Sequence, residues 1–261
     1  MSGRIISELT QEDRFFLARV EEAFSGAEEK CVSKFTAFLD GRQQLLVQQA
    51  AKRSGYNNYL LCGGLPEGEG ENERRMLGCF PYYEEPSPQA FPILPLTFLY
   101  RAEDKLTHRD FLGSFMALDL KRETVGDILV EEGRCVSFFQ PQAAQVVLGE
   151  ITKIGRVGVK VQKGFDGPAP ALYRTRAEEG VVSSLRLDCL VALACKVSRE
   201  KAQQLVRAGL VTLCWQICTD TSVPAQAGDV FSVRGFGKFR LEQVGNVTKK
   251  GRFHLTYSQY V

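Results

Sequence analysis

Apolar residues near the start of the chain recur at helical spacing. Thr10 and Asp13 stand three residues apart, as in a capping box, and Phe16, Val20 and Phe24 then follow on one side of a helix. An amphipathic helix is therefore predicted to open the chain. Because large apolar side chains at this spacing are typical of a core, we assign four phenylalanines to the core rather than to a ligand site. These are Phe15, Phe16, Phe35 and Phe38.

Two further helices are predicted before residue 60. Residues 34–39 and 43–52 carry apolar positions at similar spacing, and Asp40-Gly41 separates them. A loop of glycine, proline and glutamate follows at 63–73. Its glutamates would repel a phosphate group, and it lacks the Gly-Lys-Ser/Thr ending of a P-loop. We therefore do not interpret it as a phosphate-binding loop. We expect residues 1–78 to form a mainly helical region that includes this acidic loop.

The middle of the chain alternates between strand-like and helix-like patterns. Strands are predicted at 91–100, 127–130, 135–139 and 155–161, and helices at 107–118 and 142–148. Residues 131–134, Glu-Glu-Gly-Arg, suit the hairpin turn between the two central strands. The resulting order, β-α-β-β-α-β, is that of the ferredoxin-like unit that RNA-recognition domains also use. We therefore predict a ferredoxin-like, RRM-like domain over residues 79–180.

Residues 181–261 predict a small domain of two helices followed by several strands. Ser184 and Ser198 each precede a helix-like run and are suited to cap it. Gly209 follows the second run, where a residue in the left-handed conformation is favoured. The boundary is placed near residue 180, after a segment of proline and glutamate. The chain as a whole is predicted to be α+β in class.

Composition narrows the class of protein. The chain has 261 residues, of which 44% are hydrophobic, and no stretch approaches 18 uninterrupted apolar residues. We therefore expect no membrane insertion and a cytoplasmic location. None of the eight cysteines forms the Cys-x2-Cys pair that structural zinc sites favour. We interpret them mostly as buried thiols and expect neither a metal nor another cofactor.

Charge is unevenly distributed along the chain. The formal net charge is only +2, but residues 181–261 hold 11 Lys and Arg against 5 Asp and Glu, whereas residues 1–180 hold 22 against 26. A basic terminal domain predicts a polyanionic partner, and the alternative is a solvated face without one. The basic side chains of its predicted helices and late strands are Arg186, Lys196, Arg199, Lys201, Arg207, Arg234, Lys238 and Arg240.

Four short motifs in this domain occur in the order of the alpha-L RNA-binding motif. They are Arg186-Leu-Asp188, then Ser-Arg-Glu-Lys-Ala at 198–202, Gly-Leu-Val at 209–211 and Gly-Asp-Val at 228–230. The segment resembles the S-four-type domain, named after a protein of the small ribosomal subunit. The resemblance implies that Arg186 and Arg199 face RNA and that Asp188 orients Arg186. We include Ser198, which precedes Arg199, among the candidate RNA-binding residues.

The hairpin tip departs from this motif. The family usually places Asn-Gly there, whereas this chain has Cys214-Trp215. Two interpretations of Trp215 stay open, because its ring can stack on an RNA base or pack on the hairpin itself. We include Trp215 among the candidate RNA-binding residues.

A second resemblance covers more of the chain. Residues 106–116, 121–129 and 148–159 resemble the bacterial YlmH family, whose members end in the same RNA-binding domain. That resemblance implies a ribosome-associated factor that binds ribosomal RNA of the large ribosomal subunit, with tRNA as a further partner. It also implies a role in the rescue of stalled translation and a link to cell division.

The tripeptide His108-Arg-Asp110 invites comparison with the catalytic loop of kinases. That loop needs an asparagine five residues after its aspartate, where this chain has Phe115, and the chain has no Asp-Phe-Gly motif. Thr107 and Asp110 suit a capping box instead. His108 and Arg109 would then be exposed on the first turn of a helix as a second RNA or protein contact.

These observations predict a monomeric, non-enzymatic RNA-binding protein. One alternative is an RNA-modifying enzyme, such as a pseudouridine synthase, that uses the C-terminal domain to deliver its substrate. The sequence carries no catalytic motif of that class outside the C-terminal domain. Another alternative is a scaffold protein at the division site, which would not need the basic charge of residues 181–261.

Overall fold

The computed structural model describes residues 9–66, 68, 72–171, 175–248 and 251–260. They fall into two units, 9–171 and 175–260. The boundary expected near residue 180 lies inside the strand Thr175–Val182, so the second unit includes the glutamates that the sequence placed in a linker. Residues 67 and 69–71 of the acidic loop lie outside the described residues. Division of the first unit into two domains stays a prediction.

Two helices and three strands come first in the chain. They are α1 (Gln11–Glu29), β1 (Lys34–Leu39), α2 (Gly41–Ser54), β2 (Tyr59–Cys62) and β3 (Arg75–Cys79). The strands form an antiparallel sheet in the order β1-β3-β2. The capping box predicted for α1 is confirmed, because the Asp13 amide donates to the Thr10 hydroxyl and the Thr10 amide donates to the Asp13 carboxylate.

The helix predicted at residues 34–39 is wrong, because this segment is strand β1. A helix of six residues gains too little to offset its nucleation, and Asp40 already caps α2. The segment pairs with β3 instead, whose Leu77 amide also donates to the Thr36 hydroxyl at 3.0 Å. The prediction of a mainly helical region over residues 1–78 therefore missed the β1-β3-β2 sheet. Phe38 is buried as expected, but Phe15 is exposed on α1.

The predicted order of strands and helices is observed in the middle of the chain. The elements are β4 (Leu94–Leu99), α3 (His108–Met116), β5 (Val125–Glu131), β6 (Arg134–Phe139), α4 (Pro141–Glu150), β7 (Lys153–Ile154), β8 (Val157–Gly158) and β9 (Lys160–Lys163). Four strands form an antiparallel sheet in the order β5-β6-β4-β9. The strand predicted at 155–161 is displaced, because β7 and β8 form a separate hairpin and β9 begins at Lys160.

Two sheets pack face to face in the first unit. Helices α3 and α4 cover one face of the β5-β6-β4-β9 sheet, where Phe111 and Phe115 are buried. The other face of that sheet packs Leu129, Val136 and Phe138 against the first sheet. Helices α1 and α2 cover the outer face of the first sheet. Both faces of the β5-β6-β4-β9 sheet are therefore buried.

The second unit is one six-stranded sheet with two helices on one face. Its elements are β10 (Thr175–Val182), α5 (Leu187–Ala194), α6 (Arg199–Arg207), β11 (Val211–Leu213), β12 (Gln216–Ile217), β13 (Val230–Val233), β14 (Gly237–Val247) and β15 (Phe253–Tyr260). The strand order is β10-β15-β14-β13-β11-β12. The helices pack on Phe231, Phe239 and Leu241. The mixture of helices and antiparallel sheets agrees with the predicted α+β class.

Candidate nucleic-acid interface

The carboxylate of Asp188 joins side chains from both helices of the second unit. It accepts hydrogen bonds from the Nε atoms of Arg186 and Arg199, each at 3.1 Å, and from the Gln203 amide at 2.8 Å. The Asp188 side chain is fully buried, whereas those of Arg186 and Arg199 are 39% and 52% exposed. Asp188 therefore holds the Nε atom of each arginine, while the side chains of both arginines stay partly exposed to solvent.

Local sequence explains why these residues meet. Arg186 is the N-cap of α5, and Asp188 lies in the first turn, where a carboxylate is favoured by the helix dipole. Ser198 caps α6 by accepting a hydrogen bond from the Lys201 amide at 3.2 Å, which places Arg199 at the start of that helix. Both helices bury their apolar faces in the same core, and the hydrogen bonds from Arg199 and Gln203 to Asp188 join α6 to the first turn of α5.

Hydrogen bonds favour the ionised form of the Asp188 carboxylate. Burial alone would raise the pKa of Asp188, but the hydrogen bonds from Gln203, Arg186 and Arg199 outweigh it and lower the pKa to about 2. The same contact raises the pKa of Arg199. Two oriented guanidinium groups beside helix N-termini suit an anion such as phosphate, which accepts two parallel hydrogen bonds from one arginine.

Gln203 is a member of the cluster that the sequence motifs did not single out. Gln203 lies four residues after Arg199, so the two side chains share a face of α6. This spacing could have identified Gln203 from the sequence. The expectation that Asp188 orients Arg186 agrees with the geometry, and Asp188 orients Arg199 as well.

Two further candidates have structural partners. The Lys196 ammonium lies 3.1 Å from the Glu178 carboxylate on β10, and Lys196 has a positive φ of 54° between the two helices. Hydrogen bonds from Lys196, Tyr257 and Arg176 lower the pKa of Glu178 to about 2. The Ser198 hydroxyl accepts the capping hydrogen bond from the Lys201 amide. Lys201 and Arg207 are exposed on α6.

The predicted grouping of the helix arginines with Lys238 and Arg240 does not occur. Phe239 and Leu241 of β14 point into the core under the helices, so the alternating residues Lys238 and Arg240 lie on the opposite face of the sheet. There the Lys238 ammonium lies 5.0 Å from the centre of the Tyr260 ring, and Arg240 lies beside Glu242. The alternation of a strand separates the charges that the sequence had grouped.

The hairpin β11–β12 and the turn after β13 border a shallow groove. The groove has a volume of about 600 Å³, and Arg234, Ile217 and Phe236 are among its lining residues. Ile217 is 71% exposed, and Phe236 is 38% exposed. At the hairpin tip Trp215 is partly exposed, and its φ of 63° and that of Cys214, 48°, are both positive. Such a pair of angles is typical of a type I′ turn, which favours Asn-Gly.

The remaining candidates belong to the first unit. His108 and Arg109 are exposed on the first turn of α3, and the capping box predicted between Thr107 and Asp110 is confirmed. All eight cysteines are free thiols, and four of them are buried. Within the described ranges, no group of His, Cys, Asp and Glu is arranged for a metal ion, and no helix is both long and apolar enough to span a membrane.

Known proteins resemble this chain in sequence and in fold. Residues 89–164, which contain the whole β5-β6-β4-β9 sheet, match a family model described as "Putative RNA-binding domain in YlmH". The chain is 30% identical over 260 residues to "Ribosome-associated protein quality control protein P2" of Bacillus subtilis (strain 168), and the alignment spans 98% of each protein.

A solved structure supports the likeness of the fold. "Cell division protein ylmH from Streptococcus pneumoniae" superposes with a TM-score of 0.51 and 23% identity, over 62% of this chain and 96% of that one. At this identity the likeness concerns the fold alone.

Proposed function

The chain belongs to the YlmH family, and from that premise we propose that it is a non-enzymatic RNA-binding protein that docks on structured ribosomal RNA. In this proposal the second unit is an S-four-type domain that carries the alpha-L motif and anchors the protein on the large ribosomal subunit. The ferredoxin-like middle of the chain provides a second contact surface, and tRNA is a further partner.

One observation carries the proposal. The buried Asp188 holds Arg186 and Arg199 with their guanidinium groups turned to solvent. Pairing with Asp188 stabilises the second unit, and it also fixes the direction of two long side chains, which costs conformational entropy. A phosphate-binding surface gains from the same arrangement, since preorganised donors lose less freedom on binding.

The biological setting is proposed from the relatives. The Bacillus subtilis protein is named for ribosome-associated quality control, and the Streptococcus pneumoniae structure is named for cell division. We propose that this chain acts in the cytoplasm as a monomer in the rescue of stalled translation. A link to cell division would then follow from failed rescue rather than from a separate site.

Sedimentation with ribosomal subunits tests the proposal. The full chain should sediment with large subunits at low salt and leave them at high salt, because phosphate contacts release counterions. Arg199→Ala should reduce the bound fraction at every salt concentration. Arg252→Ala removes the same charge from an exposed turn between β14 and β15 and serves as the control. The proposal fails if the two variants bind alike or if the wild-type chain never sediments with subunits.

A further inference from the structure

The face on which RNA-recognition sheets usually stack bases is buried in this protein. In domains of this strand order, bases stack on the sheet face that the helices leave open. Here Leu129, Val136 and Phe138 occupy that face and pack against the first sheet. Packing is close, since a Cβ atom added at Gly126 would lie 2.8 Å from the ring of Phe38. RNA contact by residues 89–164 must therefore use another surface.

The hairpin β7–β8 and strand β9 carry four exposed basic residues, which we name the basic ribbon. They are Lys153, Arg156, Lys160 and Lys163. Residues 151–165 contain these four cations and no acidic residue, although the first unit as a whole has more acidic than basic residues. Strand β9 is the edge of its sheet, so Lys160 and Lys163 lie on an edge that no other described strand covers.

Within the described part of the chain, the basic ribbon lacks the acidic partners that several arginines of the first unit have. Several arginines there pair with a carboxylate: Arg42 with Asp13, Arg53 with Glu21, Arg101 with Asp104, and Arg134 with Glu131. Among the residues that the structure describes, no carboxylate pairs with any member of the basic ribbon. Four uncompensated like charges repel one another, which favours a bound polyanion.

We infer that the basic ribbon is a second RNA-binding surface that contacts the phosphate backbone. This inference rests on the proposed function, and it assigns the RNA contact of the first unit to an edge rather than to a sheet face. Lysine binds phosphate as a flexible point charge, so the basic ribbon tracks a backbone without reading bases. It therefore adds affinity and salt dependence to the complex but no sequence preference.

A charge-matched pair of double variants tests the inference in the full chain. One carries Lys160→Glu and Lys163→Glu in the basic ribbon. The control carries Lys105→Glu and Lys121→Glu, two exposed lysines of the same unit outside the basic ribbon, so both proteins change net charge equally. The probe is purified ribosomal RNA of the large subunit, titrated at several salt concentrations. Thermal unfolding of each variant confirms that it is folded.

The basic-ribbon variant should bind more weakly than the control at every salt concentration. Its slope of log affinity against log salt should be lower by about 0.7 to 0.9 for each phosphate that the variant no longer neutralises. Equal affinity of the two double variants would overturn the inference. The Arg199→Ala variant separates this result from the proposed anchor. If Arg199→Ala binds RNA as the wild type does while the basic-ribbon variant binds weakly, only the anchor is refuted. If Arg199→Ala binds weakly while the basic-ribbon variant binds as its control does, only the basic ribbon is refuted.

Lysine footprinting provides a readout without substitutions. In the complex with the same RNA, the amines of Lys153, Lys160 and Lys163 should be protected from an acylating reagent, while Lys105 stays reactive. Equal reactivity of all four lysines with and without RNA would also overturn the inference.

Discussion

The Nε atom of Arg199 donates a hydrogen bond to the buried carboxylate of Asp188 over 3.1 Å, although the two residues lie in different helices. This contact connects the N-terminal turns of α5 and α6. It also converts a flexible surface arginine into a donor of fixed direction. The stability of the second unit and its proposed affinity for RNA should therefore depend on the same pair.

Replacing Arg199 by lysine separates the shape of the donor from its charge. We expect Arg199→Lys to weaken binding to ribosomal RNA by roughly tenfold, because an ammonium group cannot satisfy Asp188 and a phosphate in the same forked geometry. Filter binding at fixed salt measures the change. Arg252→Lys, an exposed arginine outside the cluster, should bind as the wild type does. Equal effects of the two substitutions would show that only charge matters at Arg199.

Neutralising Asp188 should destabilise the second unit. In Asp188→Asn the amide keeps the shape of the side chain but removes the charged acceptor of two arginines, which we expect to cost about 2 kcal/mol. The only tryptophan of the chain, Trp215, lies in this unit, so its fluorescence during urea unfolding reports on this unit. The exposed Asp220 accepts hydrogen bonds from Ser222 rather than from an arginine, and Asp220→Asn is the control. An unchanged unfolding midpoint in Asp188→Asn would contradict the expected role.

Acid should weaken the second unit through the same carboxylate. The pKa of Asp188 is about 2 in the folded state, against an ordinary value of 3.8, so the unfolded chain takes up the proton first as pH falls. The stabilisation is complete above about pH 4 and is lost between about pH 4 and pH 2, with a total of about 2 kcal/mol. The difference in unfolding free energy between wild type and Asp188→Asn should shrink over this range. A difference that stays constant with pH would refute the assignment.

The hairpin tip should tolerate glycine better than alanine. Trp215 has a φ of 63°, where a side chain with a Cβ atom is strained by about 1 kcal/mol and glycine is not. Trp215→Gly and Trp215→Ala both remove the indole ring, so their difference isolates the backbone. Calorimetry should give the glycine variant a higher Tm for this unit, by about 4–8 °C. Equal Tm values would mean that the tip relaxes when the ring is absent.

Features that depend on neighbours three or four residues apart were predicted well. The capping boxes at Thr10 and Thr107 and the left-handed Gly209 after α6 are all observed. The order of elements in the middle of the chain also followed from local periodicity. Ser184 is an exception, because Arg186 is the N-cap of α5 and the Ser184 hydroxyl lies 3.4 Å from the Cys189 sulfur instead.

The sequence by itself determined the helices that carry their own caps, the basic character of the second unit and the presence of Arg186, Asp188 and Arg199 near helix starts. Only the tertiary structure decided which of these charges meet. Residues 34–39 became a strand because β3 pairs with them, and Lys238 was separated from Arg199 because a sheet has two faces. Local patterns reflect interactions between near neighbours in the chain, whereas the pairing of strands and the burial of a sheet face depend on residues far apart in it.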